Sequence, residues 1–225
     1  MSVNFRFVCA TRVSVGQFHQ TALGRSLGCF QYPFMQVRLF PQNSVGLPTV
    51  YNQAIREAFD DPAILLFVHD DIYITDFFWH VHLMMALGQF QIVGVAGSPN
   101  RVPRQPGWLL IDEAAPDAQD ASGIVGYGDG FPPNDLSVYG PGGMEVKLLD
   151  GVFLAVDSRT LKTHGLFFDE QYDFHFYDLD FCRQAEQLKL KMGTTTISLV
   201  HQSTGGYFSD AWHRGFAAYL KKWGS

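Results

Sequence analysis

Basic residues are scarce in this chain: 16 Lys and Arg stand against 22 Asp and Glu in 225 residues, a formal charge of −6. No Lys/Arg stripe offsets that deficit, which argues against a nucleic-acid footprint. Cysteine is scarce too. Cys9, Cys29 and Cys182 are odd in number, widely spaced and set in apolar sequence. That pattern excludes a disulfide framework and a thiolate metal site, and fits reduced thiols in a cytoplasmic protein. No stretch approaches the roughly 18 apolar residues that span a bilayer. The opening MSVNFRFVCATRVS has no basic region followed by a long apolar run, so no signal peptide is expected. A peripheral membrane contact stays open. Repeats and low-complexity tracts are absent as well. What the chain has in quantity is core material, 47% hydrophobic and 15% aromatic residues, enough for one sizeable α/β domain over 1–225.

The first hundred residues alternate between two periodicities. Apolar runs at Phe5–Ala10, Met35–Phe40, Ile64–Val68 and Ile92–Ala96 read as strands. Helices are expected over Gln17–Cys29, Val50–Phe59 and, capped by Thr75, from Asp76 to about Gly88. This alternation implies a mostly parallel sheet flanked by helices. Pro99–Lys147 breaks the rhythm with seven of the eleven prolines. Short strands at Trp108–Ile111 and Ile124–Tyr127 are all that fit there, and such a long insertion reads as a binding segment. Strands at Val152–Val156 and Thr195–Val200 follow, with helices over Asp178–Lys189 and Asp210–Trp223.

Four clusters carry the chemistry. In Ala63–Ile74 a buried apolar strand ends abruptly in His69-Asp70-Asp71. The carboxyl end of such a strand is where open α/β sheets bind ligands. Two adjacent acids beside an imidazole invite a hard divalent cation and its phosphates; the alternative is a strand-end turn with one Asp capping a helix. The others are Leu149-Asp150-Gly151, the run Phe174–Cys182 with Asp178 and Asp180, and Val200-His201-Gln202-Ser203-Thr204-Gly205-Gly206. On a helix Asp178 and Asp180 point about 200° apart, so only one can face a site. Asp180 is then expected to pair with Arg183, one turn on.

In this order the clusters resemble nucleotide-sugar-dependent glycosyltransferases of the GT-A fold, in the large family 2 group, and within it bacterial domains of the streptomycin-biosynthesis StrF type. The matching stretches are His-x-Asp at 69–71, Leu-Asp-Gly-Val-Phe at 149–153, Phe-Tyr-Asp-x-Asp at 176–180, and His201 before a small-residue turn. Gly46-Leu47 and Tyr51–Ile55 also fit; Pro99–Lys147 does not take part.

The resemblance implies an α/β GT-A fold and transfer of one sugar from a nucleoside diphosphate sugar, most often a uridine (UDP) donor, with inversion, to a glycan or small-molecule hydroxyl. It implies Mn²⁺ or Mg²⁺ held by Asp71 and His201, with Asp178 as the base that deprotonates the acceptor. His69, Asp70 and Asp150 would line the donor site, and Thr11, Arg12 and Asn43 the nucleotide pocket at the ends of the first two strands. Two positions depart from the pattern: His69 stands where an acid is commonest, and Tyr177 where Glu precedes the base. Each residue keeps a plainer reading beside this one. His69 and His201 would be satisfied hydrogen-bonding residues, Asp178 a helix N-cap, Asp150 a strand-entry turn and Arg12 a solvated turn residue. Trp108, Tyr127 and Tyr139 in the insertion are the acceptor candidates, since aromatic faces stack on sugar rings. The chain lacks the Gln-x-x-Arg-Trp pattern of processive relatives, which favours single addition. The competing functions are a non-catalytic nucleotide-sugar-binding protein and a metal-dependent phosphohydrolase.

Overall fold

A computed structural model describes residues 3–111, 120–203 and 206–224. Thr204 and Gly205 of the small-residue turn, and 112–119 of the Pro/Gly-rich insertion, lie outside these.

The strands are β1 (Phe5–Ala10), β2 (Met35–Phe40), β3 (Ile64–Val68), β4 (Ile72–Ile74), β5 (Ile92–Gly94), β6 (Ala96–Ser98), β7 (Ser122–Tyr127), β8 (Asp135–Gly140), β9 (Glu145–Val146), β10 (Leu148–Leu149), β11 (Phe153–Asp157), β12 (Met192–Thr194) and β13 (Leu199–His201). The helices are α1 (Ala22–Gly28), α2 (Leu47–Glu57), α3 (Trp79–Leu87), α4 (Ser158–His164), α5 (Tyr177–Gln187) and α6 (Asp210–Trp223). The strands form a seven-stranded sheet, β2-β1-β3-β11-β5-β12-β9, and a smaller one, β10-β6-β7-β13-β4, with β8 paired to β7. In the large sheet β11 and β9 run against the other five. The mostly parallel α/β sheet expected from the alternating pattern is therefore present.

All five residues of β3 are buried, as expected for a strand covered on both faces. Parallel register sets Phe7 of β1 beside Leu66, and Val8 beside Phe67. Residues in register share a face. On one face Trp79 of α3 meets Phe5 and Phe7 edge-on at 5.2 and 5.0 Å. On the other, Tyr51 of α2 packs on Phe67 at 4.9 Å, and Phe67 on Phe168 at 5.0 Å. These contacts clamp β3 and so fix where its carboxyl end, the 69–71 turn, points.

Several expected elements divide where tertiary geometry overrides local pattern. The helix expected over Gln17–Cys29 splits at Thr21, which ends a 3₁₀ turn over Val15–Gln20 and caps α1 by accepting from the Gly24 amide at 3.0 Å. Gly24 is required there, because a Cβ would sit 1.9 Å from the Phe18 carbonyl oxygen. Thr75 caps no helix. Its amide and hydroxyl both bond the Ser198 carbonyl, and α3 begins only at Trp79. The runs at Ile92–Ala96 and Thr195–Val200 each became a crossing from one sheet to the other, β5 to β6 and β12 to β13. Trp108–Ile111 is not a strand, whereas the insertion holds the β7–β8 ladder instead.

The pairing expected between Asp180 and Arg183 does not occur. Asp180 is fully buried and accepts from Gln184 Nε2 and Trp223 Nε1, both at 2.7 Å, with Lys222 Nζ also at 2.7 Å. Arg183 lies over the Trp223 ring, 4.7 Å from its centre. This network pins α6 to α5. Asp180→Ala removes the buried acceptor shared by Gln184 and Trp223, while Lys222 keeps Asp169 at 2.6 Å. It is expected to lower stability by about 1 to 3 kcal/mol, read as a shift in urea midpoint at unchanged slope.

Candidate functional site

The site forms where β3, β4, β11 and β13 converge. Strand β3 stops at Val68, and the His69-Asp70-Asp71 turn carries the chain into β4. Antiparallel pairing of β13 with β4 sets His201 opposite Ile72, and the Gln202 amide donates to the Asp71 carbonyl at 2.9 Å. His201 thereby lies over Asp71. On the other side β11 pairs with β3, the His69 amide reaches the Val152 carbonyl at 3.3 Å, and Asp150-Gly151 is drawn beside His69. Helix α5 closes the group from its first turn, where the Gly151 amide donates to Asp178 Oδ2 at 3.0 Å.

A cavity of about 480 Å³ opens over this convergence, lined among others by His69, Trp108, Asp150, Phe174, Asp178 and His201. His69, Asp71 and His201 each offer one ligand atom within 4.8 Å of the others. His201 Nε2 lies 3.3 Å from Asp71 Oδ2, and His69 Nδ1 lies 4.0 Å from Oδ1. Burial would raise the Asp71 carboxyl, but the His201 hydrogen bond and charge outweigh it and hold it at about 2. Burial would likewise lower His201, yet Asp71 pulls it above the ordinary imidazole value. Burial lowers His69, favouring a neutral ring. Among the described residues Asp71 Oδ1 is buried without a hydrogen-bond partner, an acceptor of the kind a cation satisfies. Two imidazole nitrogens and one carboxylate suit a divalent metal. The residues fit one.

The second group is Asp150 and Asp178. Asp150 accepts from the Val152 amide at 2.9 Å through one oxygen and from Trp108 Nε1 at 2.8 Å through the other. It is thus both a strand-entry turn and part of the cavity wall. Asp178 is not the N-cap of α5; Phe176 is, with a left-handed φ of 69°. That conformation is unusual for an aromatic residue. It is held by Phe176 packing on Trp212 and stacking on Phe216, 5.3 and 5.5 Å away. Asp178 takes amides from Gly151 and Leu179. Burial, with the neighbouring Asp150 charge, pushes its carboxyl up to about 7, the range in which a carboxylate can take and return protons near neutrality.

The remaining sequence candidates lie elsewhere. Asp70 turns away from the cavity to accept the Thr11 hydroxyl. The Thr11 amide bonds the Phe40 carbonyl, and the Asn43 amide bonds the Thr11 carbonyl at 2.8 Å, so the ends of β1 and β2 are tied together. The Asn43 side chain closes its own turn on Val45. Arg12 is exposed. These four do not line the cavity over Asp178. Trp108, Tyr127 and Tyr139 do, with Trp108 edge-on to Tyr139 at 4.9 Å and the two tyrosine hydroxyls 3.0 Å apart. Sequence reasoning gave Tyr177 and Phe174 no role. Tyr177 Oη meets His69 Nε2 at 3.1 Å, and Phe174 stacks on His69 with ring centres 5.5 Å apart. The one signal in the sequence was that Tyr177 replaces an expected acid.

No protein-family model matches the chain, and no curated protein matches it. Among solved structures, S. aureus TarS superposes with a TM-score of 0.51 at 13% identity, covering 97% of this chain and 40% of that one. The chain has a GT-A-like fold. At this identity the likeness is one of fold. A197 from STIV also aligns, at a TM-score of 0.48 and 10% identity over 92% of this chain and 98% of that one. Among the described residues no helix is long and apolar enough to cross a membrane.

Proposed function

We propose that the chain is a metal-dependent glycosyltransferase that moves one sugar from a nucleoside diphosphate sugar, with uridine as the favoured base, to a hydroxyl acceptor with inversion. The observation that carries this reading is that one cavity holds both a carboxyl poised near neutrality, Asp178, and imidazoles of a cluster suited to a cation, His69 and His201 with Asp71 beside them. The GT-A-like fold supports it as an analogy of scaffold, since site chemistry and not fold decides function.

His69, Asp71 and His201 would hold Mn²⁺ or Mg²⁺. The chemistry such a cation supplies is neutralisation of charge on a departing diphosphate. Asp178 takes the proton of the acceptor hydroxyl as its oxygen bonds the anomeric carbon and the bond to the diphosphate breaks on the opposite face. Asp150 keeps Asp178 basic by its charge and holds Trp108 by hydrogen bond. Trp108, Tyr127 and Tyr139 then form the acceptor wall, which makes 99–147 an acceptor-side segment of a single 1–225 domain. Thr11, Arg12 and Asn43, with Asp70, would serve the nucleotide at the strand ends. His69 in place of an acid leaves the site two nitrogen ligands, which favours Mn²⁺ over Mg²⁺.

Calorimetric titration of uridine diphosphate, with and without Mn²⁺, tests the donor site. Binding that is at least tenfold tighter with Mn²⁺ is expected. Failure of the folded protein to bind any nucleoside diphosphate under either condition would remove the reading.

A further inference from the structure

The two positions at which the chain departs from the pattern it resembles are in contact. His69 Nε2 lies 3.1 Å from Tyr177 Oη. The direction of that hydrogen bond follows from the other contact of the phenol: Tyr177 Oη donates to the Gly151 carbonyl at 2.8 Å. A phenol has one proton. With that proton committed to a carbonyl, which can only accept, the oxygen presents a lone pair to His69. The facing Nε2 must therefore carry the hydrogen. In a neutral imidazole this leaves Nδ1 bare, and Nδ1 is the atom 4.0 Å from Asp71 Oδ1.

We propose that Tyr177 is a positioning residue whose hydroxyl holds His69 as the Nε2–H tautomer, so that Nδ1 is a lone-pair donor to the cation cluster. The proposal rests on the metal reading above. Ligating histidines typically donate their second ring N–H to a fixed acceptor, which sets both tautomer and ring orientation. Here the acceptor is a side chain whose own proton is anchored on backbone. The surroundings hold the arrangement in place. Phe174 stacks on the His69 ring and opposes its turning over. Gly151 is needed for the close approach, because a Cβ there would sit 2.4 Å from Tyr177 Oη. Tyr177 itself is packed edge-on against Tyr51 at 5.9 Å and tilted on Phe168 at 5.8 Å, so its hydroxyl has little freedom. One helical turn thus supplies both Asp178 and the group that prepares His69.

Tyr177→Phe deletes the hydroxyl and keeps the ring. Two readouts test it, neither of them turnover. The first is the His69 tautomer in metal-free protein, from long-range ¹H–¹⁵N correlation spectra with His69→Gln to assign the signals. The second is affinity for Mn²⁺ alone, by electron paramagnetic resonance. The wild type is expected to show Nε2–H. The variant should lose that preference and bind Mn²⁺ roughly 10- to 100-fold more weakly, effects that a loss of packing without a change of tautomer would not produce. A wild type that binds Mn²⁺ with His69 protonated on Nδ1 would overturn the tautomer assignment and leave the metal reading standing. Unchanged tautomer and affinity in Tyr177→Phe would overturn the role of the hydroxyl. No Mn²⁺ binding by the folded wild type would sink the metal reading, and the proposal with it.

Discussion

Asp178→Asn is expected to lower turnover by roughly 100- to 10,000-fold, the usual contribution of a positioned general base, and to make the protein more stable at pH 8. Both effects follow from the same burial. Burial and the Asp150 charge move the folded-state pKa of Asp178 from 3.8 up to about 7. A raised carboxyl favours the folded state while protonated. That contribution is complete below the unfolded value near 3.8 and is lost as pH rises through about 7, so the ionised wild type carries a penalty at pH 8. Asparagine cannot ionise and escapes it. A shift of this size sets an upper bound of about 4 kcal/mol. The amide can accept only one of the Gly151 and Leu179 N–H groups, so a net gain of about 1 to 3 kcal/mol is expected, on the linkage argument. Chemical denaturation at pH 5 and pH 8 checks this: the advantage should be large at pH 8 and small or reversed at pH 5. Wild-type turnover should rise with pH through about 7. A variant that is inactive yet less stable at pH 8 would mean that Asp178 serves structure and not proton transfer.

Asp71→Asn is expected to weaken Mn²⁺ binding by at least about 100-fold, because it removes the one carboxylate of a cluster whose other donors are neutral nitrogens. Asp71 is held at about 2, so its own protonation does not limit the wild type at neutral pH. His201→Ala leaves Asp71 and His69 in place and should fall between the two. Electron paramagnetic resonance of Mn²⁺ without nucleotide separates these cases, and a thermal melt confirms folding. Full affinity in Asp71→Asn would remove the cation from the His69–Asp71–His201 cluster.

What was legible in the sequence divides along a physical line. Strands β1 and β3 were readable because each is an apolar run whose pattern matches its burial, and β2 by its alternation alone, since Val37 on the apolar side of that alternation is exposed. So was the opposition of Asp178 and Asp180, which needs only helix geometry. Ile92–Ala96 and Thr195–Val200 looked like single strands because hydrophobicity reports burial and not which sheet is entered. Asp180 was matched to Arg183 by helical spacing, yet its partners Lys222 and Trp223 arrive from a helix some forty positions away in sequence. The same limit hid the contact of Tyr177 with His69, separated by 108 positions. His69, Asp71, Asp150, Asp178 and His201 were picked out singly by residue type, strand end and resemblance. Their convergence depends on the β13–β4 and β11–β3 registers, which no local pattern encodes.

The paired sheets have a consequence for how the cluster can be perturbed. His69 follows the last residue of a strand of the large sheet, while Asp71 immediately precedes β4 and His201 ends β13, two paired strands of the small one. The ligand atoms therefore straddle a seam, which the chain crosses repeatedly, among other places at His69–Asp71, Val95, Lys147, Asp150–Val152 and Thr195–Ser198. Their spacing is a property of sheet alignment, not of any single loop. Substitutions along that seam, far from the cavity, can leave the fold intact and still detune the cluster, much as a shifted hinge spoils a latch without touching it.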